Sequence, residues 1–317
     1  NWQPLPVQYA DYTIWQRSLL GDEQDPSSVA AAQLEHWSTA LAGLPDLLPL
    51  PTDRPRPTTQ DFRGGRVRFT VDADIHRALG DITREKNVSM FMVLHAAFAV
   101  VLARLSGTDD IAITTPVAGR GDAALDDLVG MFVNTLVLRS RVDESATFDD
   151  LLNQVKAHDL DAFGHTEMPF ERIVEVLNPT RSTAYAPLSQ VALSFQNNER
   201  ASLELPDLRV EGFDFDVPVA KQDLQLLLSE TFDEAGRPSG FEAAFDYATS
   251  LFDAASVEAV AARLIRVLDA VGRNRHTVVG DIEILGTDEQ RTLVPARGNA
   301  DAAVRTWPEL LAAAVAL

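Results

Sequence analysis

Residues Leu128–Arg139 read LVGMFVNTLVLR, an apolar run that contains a single side-chain amide, Asn134. Successive side chains of a strand point to opposite faces, so Asn134 shares a face with Phe132, Leu136 and Leu138. An amide buried without hydrogen-bond partners costs about 2–7 kcal/mol. Asn134 is therefore either bonded to backbone groups or lines a cavity that holds water or substrate. The run alone leaves both interpretations open.

On either side of this run, predicted strands and helices alternate. Strands are predicted at Gly65–Val71, Ile111–Pro116, Leu188–Gln196 and Leu208–Phe215, with a hairpin formed by Leu224–Phe232 and Gly240–Tyr247. Helices are predicted at Pro6–Gly43, Ala73–Glu85, between Ser89 and Gly107, at Phe148–Phe163, from Pro169 and at Ser256–Val271. Five prolines between residues 44 and 57 predict an extended connection. Mixed elements with long connections predict an α/β layered sandwich.

Composition excludes several classes of partner and chemistry. The 317 residues carry a net charge of −20 and contain no cysteine, which excludes disulfides and thiol catalysis. This charge repels phosphate groups, so neither nucleic acid nor an anionic membrane surface is expected as a partner. The first four residues, Asn1–Pro4, do not resemble a signal peptide, and a cytoplasmic location is expected.

The motifs of common catalytic sites are absent from the sequence. It contains no glycine-rich phosphate loop, no GxSxG and no HExxH, so no metal site is predicted. His36, His76, His95 and His158 lie in helical patterns, where packed or solvated histidines are the usual occupants, and His276 lies near a helix end.

Two segments are open to a functional interpretation. His165 opens the sequence HTEMPFE, in which Pro169 and Glu171 would also suit an ordinary helix start. On the predicted strand Leu188–Gln196, a polar face formed by Gln190, Ser194 and Gln196 suits a solvent-filled channel or an ordinary surface.

Taken in order, these segments resemble the motifs of nonribosomal peptide synthetase condensation domains. The matching segments are Tyr9–Gln16 (family YxDYAxWQ), Val129–Thr135 (GxFVNT), His165–Glu171 (HQDxPFE), Asn178–Ser182 with Pro187–Leu188 (RxxSRNPL) and Ala220–Leu224 (AKFDLT). The motif residues carried over are Tyr9, Asp11, Trp15, Gly130, Phe132, His165, Pro169, Phe170, Glu171, Arg181, Lys221 and Asp223. The chain departs from the family at Glu167, Ser189 and Gln222, which replace an aspartate, a frequent phenylalanine and an aromatic residue.

The resemblance implies a chloramphenicol-acetyltransferase-like fold, of which this chain is essentially the C-terminal lobe. The expected divisions are an inter-lobe helix and proline-rich linker at residues 1–57, the lobe at 58–286, and a linker with the start of an adenylation domain at 287–317. The family's proposed catalytic histidine belongs to an HHxxxDG motif upstream of YxDYAxWQ, and that motif does not occur in this sequence. No catalytic residue is therefore assigned to the chain, and an N-terminal lobe is expected as its partner.

The implied activity is amide-bond formation between two thioesters carried on the phosphopantetheine arms of upstream and downstream carrier-protein domains. No cofactor is expected to bind this chain directly. Asn134, Gln190, Ser194 and Gln196 are expected to line the substrate tunnel. The alternatives are a non-catalytic platform that docks carrier proteins or tailoring enzymes, and an epimerisation or cyclisation relative. The residues preceding Asn1 would discriminate, since HHxxxDG favours condensation, DxxxxD cyclisation and a degraded motif a platform.

Overall fold

The computed structural model describes residues 5–196 and 219–293. Residues up to Ile284 belong to one compact unit, and residues from Leu285 belong to a second. The helices are α1 (Tyr9–Leu20), α2 (Val29–Ala40), α3 (Ala73–Lys86), α4 (Met90–Ser106), α5 (Phe148–Phe163), α6 (Phe170–Leu177), α7 (Ala254–Arg273) and, in the second unit, α8 (Thr287–Leu293). The strands are β1 (Gly64–Asp72), β2 (Asp110–Ala118), β3 (Val133–Arg141), β4 (Val191–Gln196), β5 (Leu224–Phe232) and β6 (Pro238–Ala248).

The described strands form one mixed sheet in the order β1-β6-β5-β4-β2-β3. Strands β2, β4 and β5 are parallel, whereas the pairs β1–β6, β5–β6 and β2–β3 are antiparallel. The carboxyl ends of β2 and β4 therefore lie at the same end of the sheet. The mixed α/β architecture predicted from the sequence is confirmed.

Local sequence signals explain how the central helix begins and ends. The hydroxyl of Ser89 accepts a hydrogen bond from the Met92 amide at 3.2 Å, and Gly107 ends the helix with a φ of +68°. A left-handed φ at this position favours glycine because glycine has no Cβ. Helix α4 is buried along most of its length and contacts α3, α5 and α7, which together form a helical layer against the sheet.

The connection between residues 44 and 57 has neither helix nor strand, as its prolines predict. Two buried side chains fix it to the sheet. The Gln190 carboxamide accepts a hydrogen bond from the Leu48 amide at 2.9 Å and donates one to the Asp46 carbonyl at 3.0 Å. Farther along the connection, the Arg56 guanidinium forms a bidentate ion pair with the buried carboxylate of Asp223.

Two sequence predictions need correction. The strand expected over Leu128–Arg139 begins only at Val133, because the residues before it form a loop that packs on α1. The helical stretch expected over Pro6–Gly43 is two helices, since the chain leaves α1 at Gly21 with a φ of +76° and begins α2 after Ser28. The predicted strand at Leu208–Phe215 and the chain beyond Leu293 lie outside the described residues.

No single helix within residues 5–196 and 219–293 is long and apolar enough to cross a membrane. Helices α3 and α4 meet that criterion only as a pair, across a bend of 112°.

Candidate functional site

Three of the motif segments meet at the end of the sheet where β2 and β4 finish. The first contact joins α1 to the loop that precedes β3. The Tyr9 hydroxyl donates a hydrogen bond to the Met131 carbonyl at 2.6 Å. Gly130 lies so close to the Tyr9 ring that a Cβ at this position would overlap it. The two motifs are therefore complementary surfaces of one contact, which explains why a glycine occupies position 130.

Phe132 is the buried centre of this contact. Its ring lies 5.3 Å from the ring of Tyr9 and 4.9 Å from that of Tyr12, measured between centroids. The Arg120 guanidinium lies 4.2 Å from the centre of the same ring and donates to the Leu128 carbonyl at 2.7 Å. Arg120 thus shapes the loop, and sequence reasoning missed this role because arginine in a loop usually indicates a solvated charge.

The other side of this loop is apolar and exposed. Val129 is 92% exposed, Met131 is 74% exposed and Val133 is 59% exposed. Trp15, on the neighbouring helix α1, is also more than half exposed. Exposed apolar groups that lie close together commonly mark an interaction surface. In contrast, Asp11 has a local role, since its carboxylate accepts a hydrogen bond from the Gln8 amide at 2.9 Å and caps α1.

Asn134 uses all four hydrogen-bonding positions of its amide, and three of these bonds connect the strand to the HTEMPFE segment. Its Nδ2 donates to the carbonyls of Thr166 and Met168 at 2.9 and 2.8 Å. Its Oδ1 accepts from the amides of Thr135 and Phe170 at 2.8 and 3.1 Å. A carboxamide offers two donors and two acceptor lone pairs, so none remains for substrate. These bonds account for the whole amide, and the expected place of Asn134 in the tunnel wall stays a prediction.

The same segment is held from its other side by α2. The Trp37 indole donates to the His165 carbonyl at 3.0 Å, and Pro169 precedes α6 as its N-cap residue. Glu171 is exposed in the first turn of that helix, where its charge suits the helix dipole. Burial and the negative charge of nearby Glu167 both raise the pKa of Tyr12, which places α1 beside this segment as well.

His165 itself stacks on a histidine of α2. The rings of His36 and His165 are 3.8 Å apart and within 3° of parallel. Burial and the neighbouring His165 lower the pKa of His36, against the opposing effect of Asp161. The Asp161 carboxylate lies 3.4 Å from Nδ1 of His36 and 3.6 Å from Nδ1 of His165. The i, i+4 spacing of Asp161 and His165 indicates that these two side chains lie close together. No sequence pattern indicates that His36 joins them.

The three polar residues predicted on the fourth strand separate in the structure. Gln190 precedes β4 and is buried, with both amide hydrogens donated to the carbonyls of Asp46 and Ala186. It anchors the proline-rich connection, and its expected position on a channel wall stays a prediction. Ser194 is half-buried and Gln196 is exposed near the carboxyl end of β4, the same end at which β2 finishes.

The remaining motif residues follow α6 or directly precede β5. Arg181 and Lys221 are exposed, whereas the Asp223 carboxylate is buried in its ion pair with Arg56. Gln222 lies 3.5 Å from the Thr114 hydroxyl, and its buried Oε1 has no hydrogen-bond partner among the described residues.

A buried serine, histidine and aspartate resemble a hydrolase triad but cannot act as one. Nδ1 of His95 lies 3.0 Å from the Asp159 carboxylate, and Nε2 lies 3.4 Å from the Ser140 hydroxyl. All three side chains are fully buried between α4, α5 and β3, so no substrate can reach the hydroxyl. The cluster is a core hydrogen-bond network.

Known proteins have sequences similar to this chain. Residues 1–294 match the family model described as Condensation domain. The chain is 47% identical over 319 residues to CymA, a probable nonribosomal peptide synthetase of Salinispora arenicola, and covers 4% of it. It is 44% identical over 294 residues to a dimodular nonribosomal peptide synthase of Bacillus subtilis, covering 93% of this chain and 12% of that protein.

A solved complex of the X-domain and OxyB from teicoplanin biosynthesis contains a similar fold. The similarity has a TM-score of 0.83 at 31% identity and covers 90% of this chain and 62% of that one. The chain therefore spans less than two thirds of each relative named here. A family match along most of the chain, the shared motifs and the shared mixed α/β fold agree: the chain belongs to the condensation-domain family of nonribosomal peptide synthetases, whose fold is chloramphenicol-acetyltransferase-like.

Proposed function

We propose that this chain is one lobe of a domain that joins two carrier-bound thioesters through an amide bond, and that it supplies tunnel wall and acceptor positioning. The observation that supports this proposal is the meeting of α1, the loop before β3 and the HTEMPFE segment at the carboxyl ends of β2 and β4. Open α/β sheets bind ligands in crevices at the carboxyl ends of their strands. Ser194 and Gln196 are positioned to line such a crevice.

The proposed reaction requires alignment more than activation. The neutral amine of the acceptor attacks the donor thioester carbonyl, a C–N bond forms, the C–S bond breaks, and the amine proton leaves as the thiol of the donor arm is regenerated. A neutral amine is already nucleophilic, so holding the amine and the thioester carbonyl in line can lower the activation free energy by several kcal/mol. The histidine that would assist by proton transfer belongs to the HHxxxDG motif, which does not occur in this sequence.

Within this scheme Asn134 is a positioning residue. Three of its hydrogen bonds fix residues 166–170 against the start of β3, and the Tyr9–Gly130 contact fixes the loop beside them. Disturbing either contact would move the wall of the proposed tunnel without removing a reacting group. The carrier domains bring the phosphopantetheine thioesters, and the N-terminal lobe and an adenylation domain are the proposed neighbours.

The test measures dipeptide formation by the intact condensation domain. Donor and acceptor carrier domains are loaded with their substrates, and the dipeptide product is detected by mass spectrometry. Asn134→Ala should lose most condensation while circular dichroism shows a folded domain, and Asn153→Ala, an exposed amide of α5, should retain it. Unchanged turnover in Asn134→Ala would contradict the positioning role. The 317-residue chain alone should form no dipeptide, and product from it would refute the need for the other lobe.

A platform that docks carrier proteins or tailoring enzymes is a second candidate. It is favoured by the similarity to the X-domain, which was solved in complex with OxyB, and by the exposed apolar side chains of the loop before β3. An intact domain that binds loaded carrier domains without forming dipeptide would support this candidate. Chiral analysis and product mass in the same assay separate epimerisation or cyclisation from condensation.

A further inference from the structure

We propose that the stacked rings of His36 and His165 form a pH-sensitive latch, which holds the HTEMPFE segment on α2 near neutral pH and releases it in mildly acidic solution. The two rings are 3.8 Å apart and within 3° of parallel. Uncharged aromatic rings can pack in this way, whereas two imidazolium ions at the same distance repel each other. The latch is a property of this chain and does not depend on the condensation activity.

The hydrogen bonds around the two rings determine where a further proton would bind. Nδ1 of His165 lies 2.7 Å from the Asp161 carbonyl, which can only accept, so this nitrogen carries the proton of the neutral ring. On His36, the buried Nε2 has no hydrogen-bond partner among the described residues. A charged His36 carries a hydrogen on both nitrogens, so it would bury an N–H donor without an acceptor. Burying such a donor is unfavourable, and the closed latch therefore excludes this proton.

The charged and titratable side chains around His36 come from every element packed against it. They are Glu35 of α2, His158 and Asp161 of α5, Arg139 and Arg141 of β3, and His165 of the segment after α5. The Asp161 carboxylate faces both rings, at 3.4 Å from Nδ1 of His36 and 3.6 Å from Nδ1 of His165. Both arginines are already paired with carboxylates at the start of β2. One carboxylate can balance one charged ring but not two. Burial, and after it His165, lower the pKa of His36 against the opposing effect of Asp161.

The HTEMPFE segment has contacts on two sides, which provide separate reporters of the latch. On the side of α2, the Met168 amide donates a hydrogen bond to Oε1 of Gln33 at 3.4 Å. On the side of β3, the Phe170 amide donates to Oδ1 of Asn134 at 3.1 Å. The Asn134 carboxamide does not titrate. Repulsion between two charged rings would therefore loosen the contact with α2 and leave the contact with β3 in place.

Urea unfolding of the full 317-residue chain measures the excluded proton. Because folding lowers the pKa of His36, stability should fall as the pH drops below about 6.5, the usual value for an unfolded histidine. Exclusion of one proton at about pH 5.5 lowers the folding equilibrium constant by up to about tenfold relative to about pH 8. His36→Phe keeps an aromatic ring that cannot be charged, so this pH-dependent change should shrink by at least about threefold. The matched control His158→Gln, an exposed residue of the same cavity, should retain the full change.

Hydrogen exchange on the unchanged chain tests the opening itself and needs no variant. Between about pH 8 and about pH 5.5, the protection of the Met168 amide, corrected for its intrinsic exchange rate, should decrease, while the Phe170 amide should keep its protection. In His36→Phe, circular dichroism should show a folded chain and both amides should stay protected. Constant protection of Met168 across this range would overturn the proposal. An equal pH dependence of unfolding in the unchanged chain and in His36→Phe would overturn it as well.

Discussion

Replacing Asn134 with alanine should destabilise the chain by about 2–3 kcal/mol. The substitution removes four hydrogen bonds, two donated to the carbonyls of Thr166 and Met168 and two accepted from backbone amides. At about 1 kcal/mol of net stability each, four bonds amount to roughly 4 kcal/mol. Because Asn134 is half-buried, water can replace part of this loss. The remaining loss of about 2–3 kcal/mol is the cost of leaving backbone carbonyls and amides without a hydrogen-bond partner where water reaches them only in part.

Urea unfolding followed by circular dichroism measures this cost, with the slope of the transition checked for constancy between variants. Asn153→Ala removes an exposed amide and should change the free energy of unfolding by less than about 0.5 kcal/mol. Asn134→Asp keeps the acceptor oxygen but replaces the donor nitrogen by a charged oxygen that faces two carbonyls, so it should cost at least as much as alanine. Hydrogen exchange at the Phe170 amide adds a local measurement, since this amide donates to Asn134. A cost below about 0.5 kcal/mol with unchanged exchange would refute this reasoning.

Three further predictions concern contacts elsewhere in the chain. Gly130→Ala should destabilise the loop before β3, because the added methyl group overlaps the Tyr9 ring; Tyr9→Ala in the same chain should recover part of the loss, and strictly additive unfolding energies would argue against the contact. His95→Ala should lower the free energy of unfolding in urea by about 3–5 kcal/mol, since it leaves the Asp159 carboxylate buried and unpaired; a loss no larger than that of Asn153→Ala would contradict the pairing. Gln190→Ala should accelerate limited proteolysis between residues 44 and 57, and an unchanged cleavage rate would show that other contacts hold this connection.

The sequence predicted the regular elements well because each had a strong local signal. Ser89 and Gly107 delimit α4, and the hairpin of β5 and β6 follows its turn residues. The strand expected from Leu128 begins only at Val133, because an apolar run is consistent with a buried strand but does not specify one. In the loop, the apolar residue Phe132 is buried by Tyr9 and Arg120 instead of by a neighbouring strand. No local pattern contains that information.

The candidate site was less predictable, because periodicity specifies a face but not the partner of a polar side chain. Alternation along a regular strand would place Gln190 and Ser194 on the same face. In the structure Gln190 instead binds the proline-rich connection, and Ser194 lies near the carboxyl end of β4. The stacking of His36 on His165 depends on how α2 lies against the segment that follows α5, which sequence spacing does not specify. Motif resemblance therefore located the segments, but only the contacts between them distinguish anchoring residues from exposed ones.

Asn134 illustrates why a motif residue at a candidate site need not contact substrate. Its hydrogen bonds reach three backbone positions within Thr166–Phe170, so a single side chain sets the path of this segment before α6 begins. A shorter side chain could not span the distance, and aspartate would lack the donors. In a reaction that depends on alignment, a displacement of the wall by about 1 Å can cost on the order of 10²-fold in rate. Loss of activity in an Asn134 variant would therefore not identify it as a catalytic residue, and the Phe170 amide exchange rate is the measurement that separates the two roles.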